Sequence, residues 1–198
     1  MILSNGNVMQ LDFNNLIKID MERIIYTDFA TLENNHPNFN EIKIKGIGGG
    51  AGQLIKSGVE TCCIQMCYAM NRAFLKIGSD YAFPDTRVDT GKVRAVKDQN
   101  GDNYIYSTLD MKVYLDNKYF QSDNYRGFSR AELTKAIQGK KGIIGFGGRH
   151  IDLWSGTKFQ YEHLYYNMWT IDEHKAGVQT QQNGIYFWEI HHYLDDRF

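Results

Sequence analysis

The chain has 198 residues, 42% of them hydrophobic, and it carries 22 Lys and Arg against 23 Asp and Glu. This length and composition suffice for a single compact globular domain over residues 1–198. The balanced charge argues against nucleic acid or a membrane surface as the partner. No stretch of about eighteen apolar residues occurs, and the N-terminus lacks the basic and then apolar pattern of a signal peptide. We therefore expect a protein made in the cytoplasm without a signal peptide.

The first fifty residues contain few well-marked elements. Residues 1–45 mix weak helical patterns with Asn-rich turns, and the alternating EIKIK of residues 41–45 predicts a strand. The glycine-rich residues 46–52 resemble the start of a dinucleotide-binding loop, but no βαβ unit follows them. We interpret this run as a flexible loop beside a functional site. We expect Gly48, Gly49 and Gly50 to line the cleft of that site.

All three cysteines lie in the next predicted element. From Cys62 to about Leu75 the apolar residues recur at helical spacing, and Thr61 is a candidate N-cap. A helix cannot direct three neighbouring sulfurs to one metal ion, and no Cys-x-x-Cys redox pair is present. Cys63 and Cys67 fit buried packing. Cys62 falls in the first helical turn, where unpaired N–H groups and the helix dipole favour a thiolate.

The second half of the chain predicts an α+β fold with a mostly antiparallel sheet. Asn100 and Gly101 favour a hairpin turn, and residues 107–120 predict a helix. Ser129 and Glu132 form a capping box at the start of a short helix. Two short β runs separated by glycines follow in residues 140–156, and the last strand candidate covers residues 183–190.

A thiol nucleophile needs a base, and His150 is the histidine that the strand pattern marks. In HIDLW, residues 150–154, alternation places His150, Asp152 and Trp154 on one face and Ile151 and Leu153 on the other. A histidine in a strand is more often structural, so the spacing alone does not assign it a role. Trp154 is expected to line the cleft together with the glycines.

Five stretches of the sequence resemble the fourth family of peptidoglycan amidase effectors of bacterial type VI secretion. They are TCCIQMCYAMN (61–71), NYIYSTLDMKVYL (103–115), GKKGII (139–144), RHIDLW (149–154) and FWEI (187–190). The resemblance implies a papain-like, NlpC-type fold in which the nucleophile-bearing helix packs on the sheet. It also implies hydrolysis of the bond between γ-D-glutamate and meso-diaminopimelate in the stem peptides of Gram-negative peptidoglycan.

By this resemblance, the amidase core covers residues 46–190, preceded by the poorly matched segment 1–45 and followed by a C-terminal tail, 191–198. Cys62 takes the position of the nucleophile and His150 that of the base. The third residue of the family is an aspartate about eleven residues past the histidine, where this chain has Tyr161. The resemblance therefore implies Glu162, one residue further on, as the third catalytic residue, with Asp152 as the alternative.

A cysteine hydrolase of this kind requires no metal or cofactor, and we interpret the histidine pair at 191 and 192 as part of a solvated tail. The resemblance implies delivery by the type VI secretion apparatus, action in the periplasm of a target cell, and a cognate immunity protein as partner. Two alternatives stay open. One is a papain-like cysteine hydrolase or transferase that acts on another amide, and the other is an inactive relative that only binds.

Overall fold

The computed structural model describes residues 25–58, 61–78, 93–119, 122–126, 128–160 and 184–191. Its helices are α1 (Phe29–Asn35), α2 (Phe39–Ile44), α3 (Gly49–Lys56), α4 (Cys62–Arg72), α5 (Thr108–Lys118) and α6 (Arg130–Ala136). Its strands are β1 (Ile25–Tyr26), β2 (Ala95–Lys97), β3 (Asn103–Ile105), β4 (Asp123–Asn124), β5 (Gly142–Phe146), β6 (His150–Trp154) and β7 (Ile185–His191).

The central sheet has the strand order β1-β7-β5-β6, and β4 pairs with another part of β7. Strand β5 is antiparallel to both β6 and β7, and β1 runs parallel to β7. In the β5–β6 pair Phe146 lies opposite His150, and Ile144 lies opposite Asp152. This mixture of helices with a mostly antiparallel sheet confirms the predicted α+β class.

The two faces of the sheet are buried by different parts of the chain. Ile151 and Leu153 belong to the core cluster that surrounds α4. Trp154 and Phe146 belong to a second cluster on the opposite face, together with Ile137 beyond the end of α6. The alternation predicted for residues 150–154 is therefore confirmed.

Helix α4 is enclosed on all sides. Every residue from Cys62 to Asn71 is buried, because α1, strand β3 and strand β6 each pack against the helix. A helix that is surrounded in this way keeps its side chains in fixed positions. The core-facing helix predicted from Cys62 onwards is confirmed, although it ends at Arg72 and not near Leu75.

The strand expected at residues 41–45 is wrong, because most of this segment belongs to α2. Asn38 accepts hydrogen bonds from the backbone of Asn40 and Glu41, and the Glu41 side chain accepts one from the Asn38 N–H at 2.9 Å. This capping box stabilises the helix start. Ile42 is fully buried whereas Ile44 is 83% exposed, so the alternating isoleucines do not share a buried face.

The flexible loop expected at residues 46–52 is also wrong, because α3 begins at Gly49. This helix packs directly on the β2–β3 hairpin. A Cβ atom at Gly49 would lie 2.6 Å from the Lys97 carbonyl oxygen, and Gly49 has a φ of +63°. The glycines thus permit a close backbone approach between helix and hairpin.

The solvated tail expected from His191 onwards is wrong at its first residue, because His191 ends strand β7 and pairs with Tyr26 of β1. The predictions for the hairpin and for the two later helices are confirmed. Strands β2 and β3 form an antiparallel hairpin around Asn100 and Gly101. Ser129 and Glu132 form the capping box of α6, and the helix predicted within residues 107–120 is α5. In the described parts of the chain, no helix has the length and apolar character that a membrane crossing requires.

Candidate active site

At the start of α4, the side chain of the N-cap residue forms its hydrogen bond elsewhere and does not cap the N–H groups of the first turn. Thr61 is the N-cap residue, but its side chain makes no capping hydrogen bond. Its hydroxyl instead donates to Gln65 Oε1 at 3.5 Å, and Gln65 Nε2 donates to the Pro37 carbonyl at 2.9 Å. The N–H groups of the first turn are therefore not used by this cap, and Cys62 lies beside them.

The structure brings the Cys62 thiol and the His150 ring together, as the sequence predicts. The pKa of Cys62 lies well below its ordinary value, chiefly because the Cys63 thiol donates a hydrogen bond to it. Burial opposes this shift. A hydrogen bond and the charge of His150, together with the backbone N–H of Ile151, lower the pKa further. These contacts favour a thiolate, the reactive form of cysteine.

The other two cysteines have separate roles. Burial raises the pKa of Cys63 well above its ordinary value, so this thiol stays protonated and can donate to Cys62. Burial also raises the pKa of Cys67 to about 12. Cys67 Sγ donates to the Ile105 carbonyl at 3.6 Å and accepts from the Ile105 N–H at 3.2 Å. Cys67 therefore joins α4 to β3 through the backbone.

Among the described residues, no three His, Cys, Asp or Glu side chains are grouped as ligands for a metal ion. Asp152 is fully buried and shares its strand face with His150. Glu162, the first candidate for the third catalytic residue, lies outside the described residues. The identity of the group that orients His150 therefore stays a prediction.

The residues expected to line the cleft have other described neighbours. A Cβ atom at Gly48 would contact the side chain of Gln99, which follows β2. A Cβ atom at Gly50 would contact the side chain of Val96 in β2. Their place in the cleft stays a prediction. Trp154 is 1% exposed, and its indole N–H donates to the Ile137 carbonyl at 2.9 Å. A side chain so enclosed packs the sheet and does not face a cleft.

His36 is a buried histidine that the sequence did not indicate and that responds to the charge of His150. It follows α1 as the C-cap residue and is only 5% exposed. Burial, and then the nearby charge of His150, lower its pKa to about 3. No local pattern singles out this histidine, because its burial depends on tertiary packing, as the contact of α1 with α4 does.

A cysteine at the start of a buried helix, beside a histidine at the start of an antiparallel strand, defines the class of papain-like, NlpC-type cysteine hydrolases. The sequence model of one family, "Type VI secretion system (T6SS), amidase effector protein 4" (Tae4), matches residues 59–188. The chain belongs to this family. Its members are cysteine-type peptidoglycan amidases that are secreted as antibacterial effectors and cleave the γ-D-glutamyl–meso-diaminopimelate bond. Cys62 and His150 lie within the match, and His36 lies outside it.

Solved structures of Tae4 proteins share the fold. The chain is similar to Tae4 of Salmonella typhimurium, solved as an effector–immunity system with Tai4, with a TM-score of 0.58 and 20% identity over 82% of this chain and 95% of that one. It is also similar to Tae4 of Enterobacter cloacae, with a TM-score of 0.56 and 19% identity over 83% and 97% of the two chains. No curated protein matches the sequence.

Proposed function

We propose that Cys62 and His150 are the nucleophile and the base with which this chain hydrolyses the γ-D-glutamyl–meso-diaminopimelate bond of Gram-negative peptidoglycan. The observation that carries this proposal is the buried Cys62 thiol in the first turn of α4, whose pKa is lowered by Cys63, His150 and the Ile151 N–H. A thiol with a lowered pKa beside an imidazole suits nucleophilic attack on an amide.

In the first half of the reaction, His150 holds the proton of Cys62 and the thiolate attacks the carbonyl carbon of γ-D-glutamate. Backbone N–H groups at the start of α4 stabilise the negative oxygen of the tetrahedral intermediate. The C–N bond then breaks, and His150 gives its proton to the departing amine of diaminopimelate. A thioester on Cys62 remains.

In the second half, water attacks the thioester with His150 as the base. The C–S bond breaks, which releases the γ-carboxylate of glutamate and restores the thiol. We infer that Glu162 orients the His150 ring, with Asp152 as the alternative, and that no cofactor takes part. We also propose that residues 1–198 form one catalytic domain, whose amidase core covers residues 46–190.

We further infer that the protein acts in the periplasm of the target cell, where stem peptides are exposed. The solved Salmonella typhimurium and Enterobacter cloacae Tae4 proteins form complexes with the immunity protein Tai4. By this analogy, a cognate immunity protein that covers the cleft is the partner of this chain, and the type VI secretion apparatus delivers it.

Digestion of purified Gram-negative sacculi, with mass spectrometry of the new termini, tests this proposal. Cys62→Ala should abolish the release of diaminopimelate amino termini, whereas Cys67→Ala, which removes the thiol bound to β3, should retain it. Glu162→Gln should lower the rate, and Glu189→Gln is its control because Glu189 forms a partly exposed ion pair with Lys140 at 3.1 Å.

Three outcomes would contradict parts of the proposal. Full activity of Cys62→Ala would exclude the nucleophile, and a silent Glu162→Gln would place the orienting group elsewhere. Cleavage of a different amide by the wild-type protein, with diaminopimelate bonds intact, would favour the alternative hydrolase.

A further inference from the structure

Arg149 belongs to a tight turn whose backbone is held between the sheet and α5. Its own N–H donates to the Phe146 carbonyl at 3.1 Å, and this hydrogen bond closes the turn between β5 and β6. A Cβ atom at Gly148, the residue before it, would lie 3.3 Å from the Leu109 side chain in the first turn of α5. The backbone of Arg149 therefore has a defined position next to the start of β6.

This turn places Arg149 beside the base of the proposed reaction. His150 follows it directly and begins β6, and α4 packs along β6. The Cys62 thiol, at the start of α4, forms hydrogen bonds with the His150 ring and the Ile151 N–H. Consecutive Cα atoms are about 3.8 Å apart, so the long side chain of Arg149 can extend past the neighbouring imidazole. A group bound beside His150 is thus within reach of the guanidinium.

The charge of Arg149 is not neutralised by any residue that the structure describes. Arg149 is exposed, and within the described part of the chain its guanidinium forms no ion pair. Arg94 differs, because its guanidinium lies 2.8 Å from a carboxylate oxygen of the buried Asp110. An arginine bound to a carboxylate has spent donors and charge that a second anion would need. Arg149 keeps its donors for an anion from outside the protein.

The stem peptide offers such an anion on the side of the leaving group. His150 gives its proton to the departing amine, so the departing diaminopimelate lies beside His150 and its chain neighbours. Diaminopimelate carries a carboxylate at the end of its side chain, next to the distal amine. L-Lysine has the same side chain without this carboxylate. The planar guanidinium fork matches a carboxylate with two parallel hydrogen bonds, so it can tell the two residues apart.

We propose that Arg149 is a specificity-determining residue whose guanidinium binds the side-chain carboxylate of meso-diaminopimelate. This inference rests on the proposed amide hydrolysis at Cys62. The contact lies several bonds away from the amide that is cut. Arg149 therefore acts mainly on substrate binding, which appears in KM, and leaves the reacting atoms to Cys62 and His150.

Two synthetic tetrapeptide stems that differ only in this carboxylate test the assignment. One is L-Ala-γ-D-Glu-meso-diaminopimelate-D-Ala, and the other has L-lysine in place of diaminopimelate. Arg149→Gln removes the charge, and Arg149→Lys keeps the charge without the fork. Lys135→Gln is the control, because it removes an exposed charge from the last turn of α6, on the opposite face of the sheet.

In the experiment, kcat and KM are measured on both stems for the wild type and the three variants. We expect the wild type to prefer the diaminopimelate stem, and Arg149→Gln to lower the ratio of the two kcat/KM values by about tenfold, as loss of a charged hydrogen bond does. The loss should appear as a higher KM for the diaminopimelate stem. Arg149→Lys should recover part of the ratio, and Lys135→Gln should keep the wild-type ratio.

Each other outcome overturns the inference in a recognisable way. Equal losses on both stems in Arg149→Gln would mean that Arg149 acts on the thiol–imidazole pair, and an unchanged ratio would mean that its side chain stays in solvent. A wild type that cleaves both stems equally well would refute the carboxylate contact and leave the proposed hydrolysis intact. If the wild type cleaves neither stem, the proposed function fails first, and the role of Arg149 fails with it.

Discussion

The buried neutral His36 predicts that the protein loses stability in mild acid. Its pKa of about 3 lies below the ordinary value of 6.5, so the unfolded chain binds a proton that the folded chain does not. The stability that His36 contributes by being buried in its neutral form is fully present above pH 6.5 and is lost as the pH falls towards 3. From these two pKa values, lowering the pH from 7 to 5 should reduce the free energy of unfolding by about 2 kcal/mol through this one residue.

Urea denaturation at pH 7 and pH 5 measures this cost. His36→Phe removes the titrating group, so its stability should fall about 2 kcal/mol less between the two pH values than that of the wild type. Leu32→Ala is the control, because it empties a fully buried site on the same helix. It should lower stability by about 2–5 kcal/mol at both pH values and keep the wild-type difference between them. If His36→Phe also keeps the full wild-type difference, His36 is not buried in its neutral form and the reasoning is refuted.

Substitutions at three further positions test the site and the core around it. Cys63→Ala removes the main donor to Cys62, so the pH midpoint of Cys62 alkylation should rise, and less so in Cys63→Ser; an unchanged midpoint would contradict this role. Gly52→Ala would place a Cβ atom against the Ile47 carbonyl, so it should lower the free energy of unfolding by about 1–3 kcal/mol. A gain in stability, as alanine gives at a helical position without such an obstruction, would contradict this packing. Trp154→Phe loses a buried hydrogen bond, and urea unfolding should show a loss of about 1–3 kcal/mol; no loss would place the indole outside the core.

Local signals predicted the elements that local interactions determine. The capping box of Ser129 and Glu132 and the turn at Asn100 and Gly101 each depend on residues within a few positions, and both predictions are confirmed. The start of α4 at Cys62 was predicted in the same way, because the first turn of a helix is a local property.

Other features depend on distant parts of the chain and could not be predicted in this way. The glycines of α3 fit the backbone of a hairpin that begins some forty residues later, as Lys97 beside Gly49 illustrates. The charge of His150 affects His36, and this effect joins residues far apart in the sequence, as does the packing of α1 on α4. The error at residues 41–45 is different, since Asn38 and Glu41 carried a capping signal that the alternating isoleucines obscured.

Detection of an acyl-enzyme on Cys62 tests the central claim most directly. The protein is mixed briefly with a tetrapeptide stem that contains γ-D-glutamyl–meso-diaminopimelate, quenched in acid, and mapped by peptide mass spectrometry. We predict a thioester of the glutamyl portion on Cys62, with free diaminopimelate dipeptide in solution. Cleavage with the adduct on Cys63, or the same cleavage by Cys62→Ala, would contradict the account.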